Sequence, residues 1–118
     1  MYGLPKAIDL GFFLSRSIVQ VCVGENDLVL HFDGSLRISV TSGVGCLAPD
    51  GEFRDFTDFR EAAPSLFALL NKAVVSWEAT EDGRLTLKFD GGGRLAIYDD
   101  SAQFESYVIT NGSQVIVV

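Results

Sequence analysis

The segment Leu28–Gly34 (LVLHFDG) returns as Leu85–Gly91 (LTLKFDG), and no other feature of the chain limits its fold as strongly. Five of the seven positions are identical. Each segment alternates apolar and polar residues, as a half-buried strand does, and then meets Asp-Gly, where glycine supplies the positive φ of a tight hairpin turn. The likeness extends to both sides. Phe12, Leu14 and Val19 pair with Phe67, Leu69 and Val74 at an offset of 55, and Leu28 pairs with Leu85 at 57. Leu36 and Ile38 pair with Leu95 and Ile97 at 59, and Asp50-Gly51 with Asn111-Gly112 at 61. Increments of two keep the same side chains on the same strand face, whereas a one-residue slip would expose the buried set. The chain thus reads as a single domain over residues 1–118, with internal repeats over about 9–56 and 64–118. Two generic hairpins that share turn chemistry are the alternative reading.

Each repeat is expected to run from a short helical turn through a strand, a hairpin at Asp-Gly, and a last hairpin at Asp-Gly or Asn-Gly. The first repeat predicts a turn within Asp9 to Ser15, strands near 18–23, 28–33 and 36–41, and a weaker one near 44–48. The second predicts strands near 73–79, 85–90, 94–99, 105–110 and 113–118, the last two split by Asn-Gly between β-branched runs. One helix is predicted between them, over Pro64 to Lys72, with proline at its first position and Leu66, Phe67, Leu69 and Leu70 on a broad apolar face. Asp58 and Glu61 fit a capping pair for a short turn that Pro64 then interrupts. The expected fold class is mainly β (α+β), two pseudo-equivalent hairpin-rich repeats forming a twisted sandwich or open barrel with one helix near 64–72.

Composition narrows the function. The 118 residues are 47% apolar, and no apolar run approaches the roughly 20 residues of a membrane-spanning helix. Sixteen acidic against nine basic side chains give a net charge of -7, which repels nucleic-acid phosphates and steers toward a basic protein partner. The opening MYGLPKAIDLGFFLS lacks the order of a secretory signal, and Cys22 and Cys46 read as small apolar residues, so a cytoplasmic location is expected.

The acidic aromatic stretch Asp50 to Glu61 (DGEFRDFTDFRE) carries the leading candidate site. Phe53, Phe56 and Phe59 recur every three residues among Asp50, Glu52, Asp55 and Asp58. They are either a stripe packing a helical turn onto the sheets or aromatic anchors on an acidic, protein-binding surface. A second candidate is a ligand pocket between the repeats holding Trp77, Tyr98 and Tyr107. Other motifs carry less. Gly43 to Ala48 (GVGCLA) fits a dinucleotide fingerprint only if a helix begins there, and Pro49-Asp50-Gly51 argues against one. His31, with Asp33 two residues on, reads as a surface residue opposite the core face of its strand. Asp99, Asp100 and Glu105 read as surface carboxylates rather than an acid and base pair. One histidine, two distant cysteines and no calcium-loop spacing predict no metal, and no cofactor is expected.

The segments GLPKAIDLGFFLSRSIVQVCVGENDLVLHFDG and ESYVITNGSQVIVV resemble a family of small bacterial proteins of unassigned function. Their landmarks, Gly3-Leu4-Pro5, Phe32-Asp33-Gly34 and Glu105-Ser106-Tyr107, are structural, so the resemblance brings no catalytic residues. A looser likeness is to small acidic immunity proteins that cap a toxin. The function expected is that of a non-catalytic protein-binding module, an immunity or accessory protein engaging a basic partner; the alternative is a small-molecule-binding protein or minor enzyme. The terminal QVIVV reads as a strand buried within its own sheet, with pairing across a dimer axis as the alternative, and the 47% apolar content by itself leads to the expectation of a homodimer.

Overall fold

The computed structural model describes residues 4, 8–48, 51–100 and 105–118. Among these, the apolar-polar alternation produces β1 (Ile18–Val23), β2 (Leu28–Phe32), β3 (Leu36–Val40), β4 (Val44–Leu47) and β5 (Arg54–Phe56). Helix α1 (Phe59–Phe67) follows, and then β6 (Val74–Ala79), β7 (Leu85–Phe89), β8 (Arg94–Ile97), β9 (Tyr107–Asn111) and β10 (Gln114–Val117). A 3-10 turn at Gly11–Phe13 precedes β1. No described helix is long and apolar enough to cross a membrane.

The strands form two five-stranded antiparallel sheets, ordered β1-β2-β3-β9-β10 and β5-β4-β8-β7-β6, and no closed barrel results. Three strands of each sheet come from one half of the chain, and the other half contributes a hairpin. The β9–β10 hairpin docks on β3 through Ile38 opposite Ile109, and β4–β5 docks on β8 through Cys46 opposite Leu95. Strand order is the same in both sheets when β1 to β5 are set against β6 to β10. The inner faces share one core, in which Leu30, Ile38 and Ile109 of the first sheet join Leu87, Leu95 and Ile97 of the second.

Backbone contacts fix the correspondence between halves more tightly than residue identity does. The Ser15 N–H donates to the Val74 carbonyl and the Asn71 N–H to the Ile18 carbonyl, both at 2.9 Å, while Ser17 and Ala73 bridge one another. These contacts set an offset of 56, so Ile18 rather than Val19 corresponds to Val74. Val74 is buried whereas Val19 is 57% exposed, the face reversal that a one-residue slip produces. Both hairpins then turn in three residues, 33–35 and 90–92, with Phe32 opposite Leu36 and the Phe89 N–H bonded to the Gly93 carbonyl at 2.8 Å. Ile38 therefore corresponds to Leu95 at 57, not Leu36 to Leu95 at 59. A slip of two leaves every apolar residue facing the core, so burial alone cannot separate these registers; the turn length does.

The helix lies at Phe59–Phe67 rather than 64–72. Its start is set by Asp58, whose carboxylate accepts the Arg60 N–H at 3.0 Å, and Phe59, Ala62 and Leu66 form the buried face. Pro64 sits inside and costs one backbone hydrogen bond, a loss the buried face outweighs. The helix packs on β1, β4 and β5. Leu69 and Leu70, expected on the helix, lie past its end in turns closed by the Leu66 and Phe67 carbonyls. Residues 54–56, expected in the helical stripe, are instead the edge strand β5.

Candidate functional site

The acidic aromatic segment does not present one face. Phe56 ends β5 and Phe59 opens α1, and both are buried in the core, so neither is the surface anchor expected of them. Asp58 caps the helix and pairs with Arg60 at 3.2 Å, the hydrogen bonds from Arg60 holding its carboxyl below the ordinary range. Asp50 lies outside the described residues. Glu52 is exposed, and Phe53, 37% exposed, leads into β5 on the outer side of the second sheet.

Trp77, Tyr98 and Tyr107 do not gather in one pocket either. Tyr107 is buried, and its hydroxyl donates to the Gly83 carbonyl at 2.6 Å. Trp77 is half-buried against the core, on the side of its strand shared with Leu87 opposite. Tyr98 alone reaches the outer face, where its hydroxyl donates to Asp55.

Phe53, Asp55 and Tyr98 nevertheless meet one another, and Gly45 on β4 is the reason. A Cβ there would stand 2.4 Å from the Phe53 ring, 2.5 Å from the Tyr98 hydroxyl and 2.7 Å from an Asp55 carboxylate oxygen. The missing side chain lets the three converge over the strand. Next to them the Arg94 guanidinium lies 4.9 Å from the centre of the Phe53 ring, in cation–π range. Phe53, Tyr98 and Arg94 line a groove of about 280 Å³ that also takes in Arg84, Lys88 and Glu78.

Strand register explains this gathering. Lys88 lies directly opposite Arg94 and Thr86 opposite Ala96, so small side chains floor the groove between cations. Lys88 and Arg94 each stand three residues from Gly91, as His31 and Arg37 do from Gly34. That symmetric spacing about a hairpin glycine was the available signal for the cationic pair. It gained meaning only once the three-residue turns placed each pair face to face.

The remaining candidates are engaged elsewhere. Val44–Leu47 is a strand, so no helix follows Gly43 and Gly45 to receive a pyrophosphate. Asp33 accepts the Ser17 N–H at 2.8 Å and so anchors the start of β1 rather than orienting His31. Asp99 is buried and accepts the Ser106 hydroxyl at 2.7 Å, while the Glu105 carbonyl accepts from Thr41. Cys22 and Cys46 are free thiols, and no cluster of three metal-ligating side chains occurs among the described residues.

Burial pushes the Cys46 thiol up to about 11 from an ordinary 9.0. The Tyr98 phenol rises to about 12 from 10.0 through burial and then its hydrogen bond to Asp55, and burial raises Tyr107 as well. The fold favours the neutral forms, so an unfolded chain releases these protons first. Their contribution is complete below about pH 9 and is lost as pH rises toward 12. The urea midpoint should therefore hold to about pH 9 and fall beyond it, with Cys46→Ala and Tyr107→Phe each flattening the fall. A midpoint that stays level to pH 12 would contradict the burial of these groups.

A model of a family described as a family of unknown function (DUF6188) matches residues 13–118. No curated protein and no solved structure matches the chain.

Proposed function

The chain belongs to DUF6188, whose description assigns no activity, and from its own geometry we propose that it is a non-catalytic protein-binding module that binds through the outer face of the second sheet. One observation carries this reading: the Phe53 ring converges with the Tyr98 hydroxyl and the Asp55 carboxylate over Gly45 and takes the Arg94 guanidinium at 4.9 Å on the outer sheet face. Aromatic rings and arginine are enriched among the residues that dominate protein interfaces, the rings because they bury much area at little conformational cost. The groove they wall is polar and, at about 280 Å³, smaller than most small-molecule sites, which favours a protein partner over a metabolite. The two halves, read as diverged copies, support the same surface differently. Thr41 corresponds to Tyr98 at the offset of 57, so only the second sheet carries the aromatic wall. An immunity or accessory role fits a small module of this kind.

Affinity capture from a lysate of the source cells with the tagged chain tests this. Wild type should retain a protein that the Phe53→Ala/Tyr98→Ala double variant loses, with affinity down roughly 10-fold or more, while Arg37→Glu on the other sheet still retains it. Retention of the same protein by the double variant would refute the assigned face.

A further inference from the structure

We infer that the groove on the second sheet takes an extended acidic segment of the partner protein, opposite in sign to what the net charge of the chain would attract. This rests on the binding face just proposed and adds the chemistry of what it binds. Three of the nine basic side chains, Arg84, Lys88 and Arg94, line one small groove of a chain that carries a net charge of -7. In such a chain most cations would be expected to neutralise carboxylates. Among the described residues, however, the ion pair within 4 Å is that of Arg60 with Asp58, so none of these three is matched in that way.

Lys88 and Arg94 also oppose each other directly across β7 and β8. Like charges at facing positions destabilise a sheet, and an anion seated between them removes the repulsion. The pair stands at one end of the groove. At the other, Arg84 lies four residues before Lys88 on the same strand face, about 13 Å away at the rise of a β-strand. Thr86 and Ala96 leave the floor between them low. Two cationic ends joined by a low floor suit an extended chain with acidic side chains at alternate positions, since these recur about every 7 Å along one face. The Phe53 ring holds the Arg94 guanidinium from behind, which reduces what the side chain loses in freedom when it meets a carboxylate. Glu78, on the β6 side, limits how far such a segment can spread across the sheet.

The first sheet supplies an internal control. His31 and Arg37 occupy the equivalent facing positions and line a cavity of about 340 Å³ with Phe32, Ser35 and Thr110, and among the described residues no cation–π contact holds Arg37 as Phe53 holds Arg94.

Fluorescence anisotropy of a labelled peptide of alternating Glu and Thr, titrated with the full chain at low ionic strength, tests the inference. Saturable binding that weakens as salt is added is expected. Lys88→Glu/Arg94→Glu should weaken it at least 10-fold, while Arg37→Glu should change it less than 2-fold. Circular dichroism should show the double variant folded. The proposal is overturned if the peptide does not bind at millimolar chain, if Arg37→Glu costs as much as the double variant, or if oligothymidylate binds equally well. Capture of a partner that depends on Phe53 and Tyr98, alongside failure of the acidic peptide, would overturn the ligand class and leave the binding face standing.

Discussion

Phe13→Ala should lower the stability of the fold by about 3–5 kcal/mol, a large part of the 5–15 kcal/mol that holds a domain of this size together. Phe13 is fully buried, with its ring edge-on to Phe32 at 5.5 Å and tilted against Phe12 at 5.0 Å. It projects from a single 3-10 turn, whose backbone is tied to the Leu10 and Gly11 carbonyls and cannot slide to refill the space. The cavity term therefore adds to the lost transfer energy. Urea unfolding should show a lower midpoint with an unchanged slope. Phe12→Ala, at a half-buried site, should cost clearly less, and Phe67→Ala, 51% exposed, about 0.5 kcal/mol or less. Should Phe12→Ala prove the more damaging, the full burial of Phe13 would be wrong.

Gly83→Ala should cost on the order of 3 kcal/mol, combining about 1–2 for a left-handed backbone with about 1–3 for overpacking. Its φ is +88°, and a Cβ would stand 2.4 Å from an Asp99 carboxylate oxygen and 2.6 Å from the Asp99 Cβ. Asp99 has little room to yield, since it is buried and bonded to Ser106. The Gly83 carbonyl also receives the Tyr107 hydroxyl, so a shift of this corner disturbs a link that crosses the core. Gly91→Ala separates the two contributions, because its φ is +90° with nothing within 4 Å of the added carbon. It should show the backbone cost alone. Equal losses at the two glycines, measured by thermal or urea unfolding, would mean that the contact with Asp99 is slack.

The β-strands were readable because their alternation is local. All but β5 fall within a few residues of the predicted spans. β5 was missed because Arg-Asp-Phe between two other phenylalanines carries a three-residue period that imitates a helix, while its pairing partner β4 lies outside any local window. The helix was misplaced because Pro64 looks like a start when read alone. Asp58 proves the stronger signal, since its carboxylate satisfies a free N–H and Phe59, Ala62 and Leu66 line up behind it.

The candidate site was legible only at single residues. Phe53, Asp55 and Tyr98 were each marked from the chain, yet in two separate proposals, and Arg84, Lys88 and Arg94 in neither. Phe56 and Phe59 share the period of Phe53 but face inward, because the chain passes from strand to helix between them and the period changes with it.

By itself the sequence determined the strand-rich class, the two hairpins about Gly34 and Gly91 and the apolar faces of the strands, since all of these follow from spacing along the chain. Only the tertiary structure decided that each half lends its last hairpin to the other's sheet, and so that Gly45 and Phe53 of one half lie beside Tyr98 of the other, with Arg94 against the Phe53 ring. Alternation states which face a residue takes but not which strand lies beside it, and the Phe53 wall of the groove comes from a segment that the chain keeps far from β7 and β8.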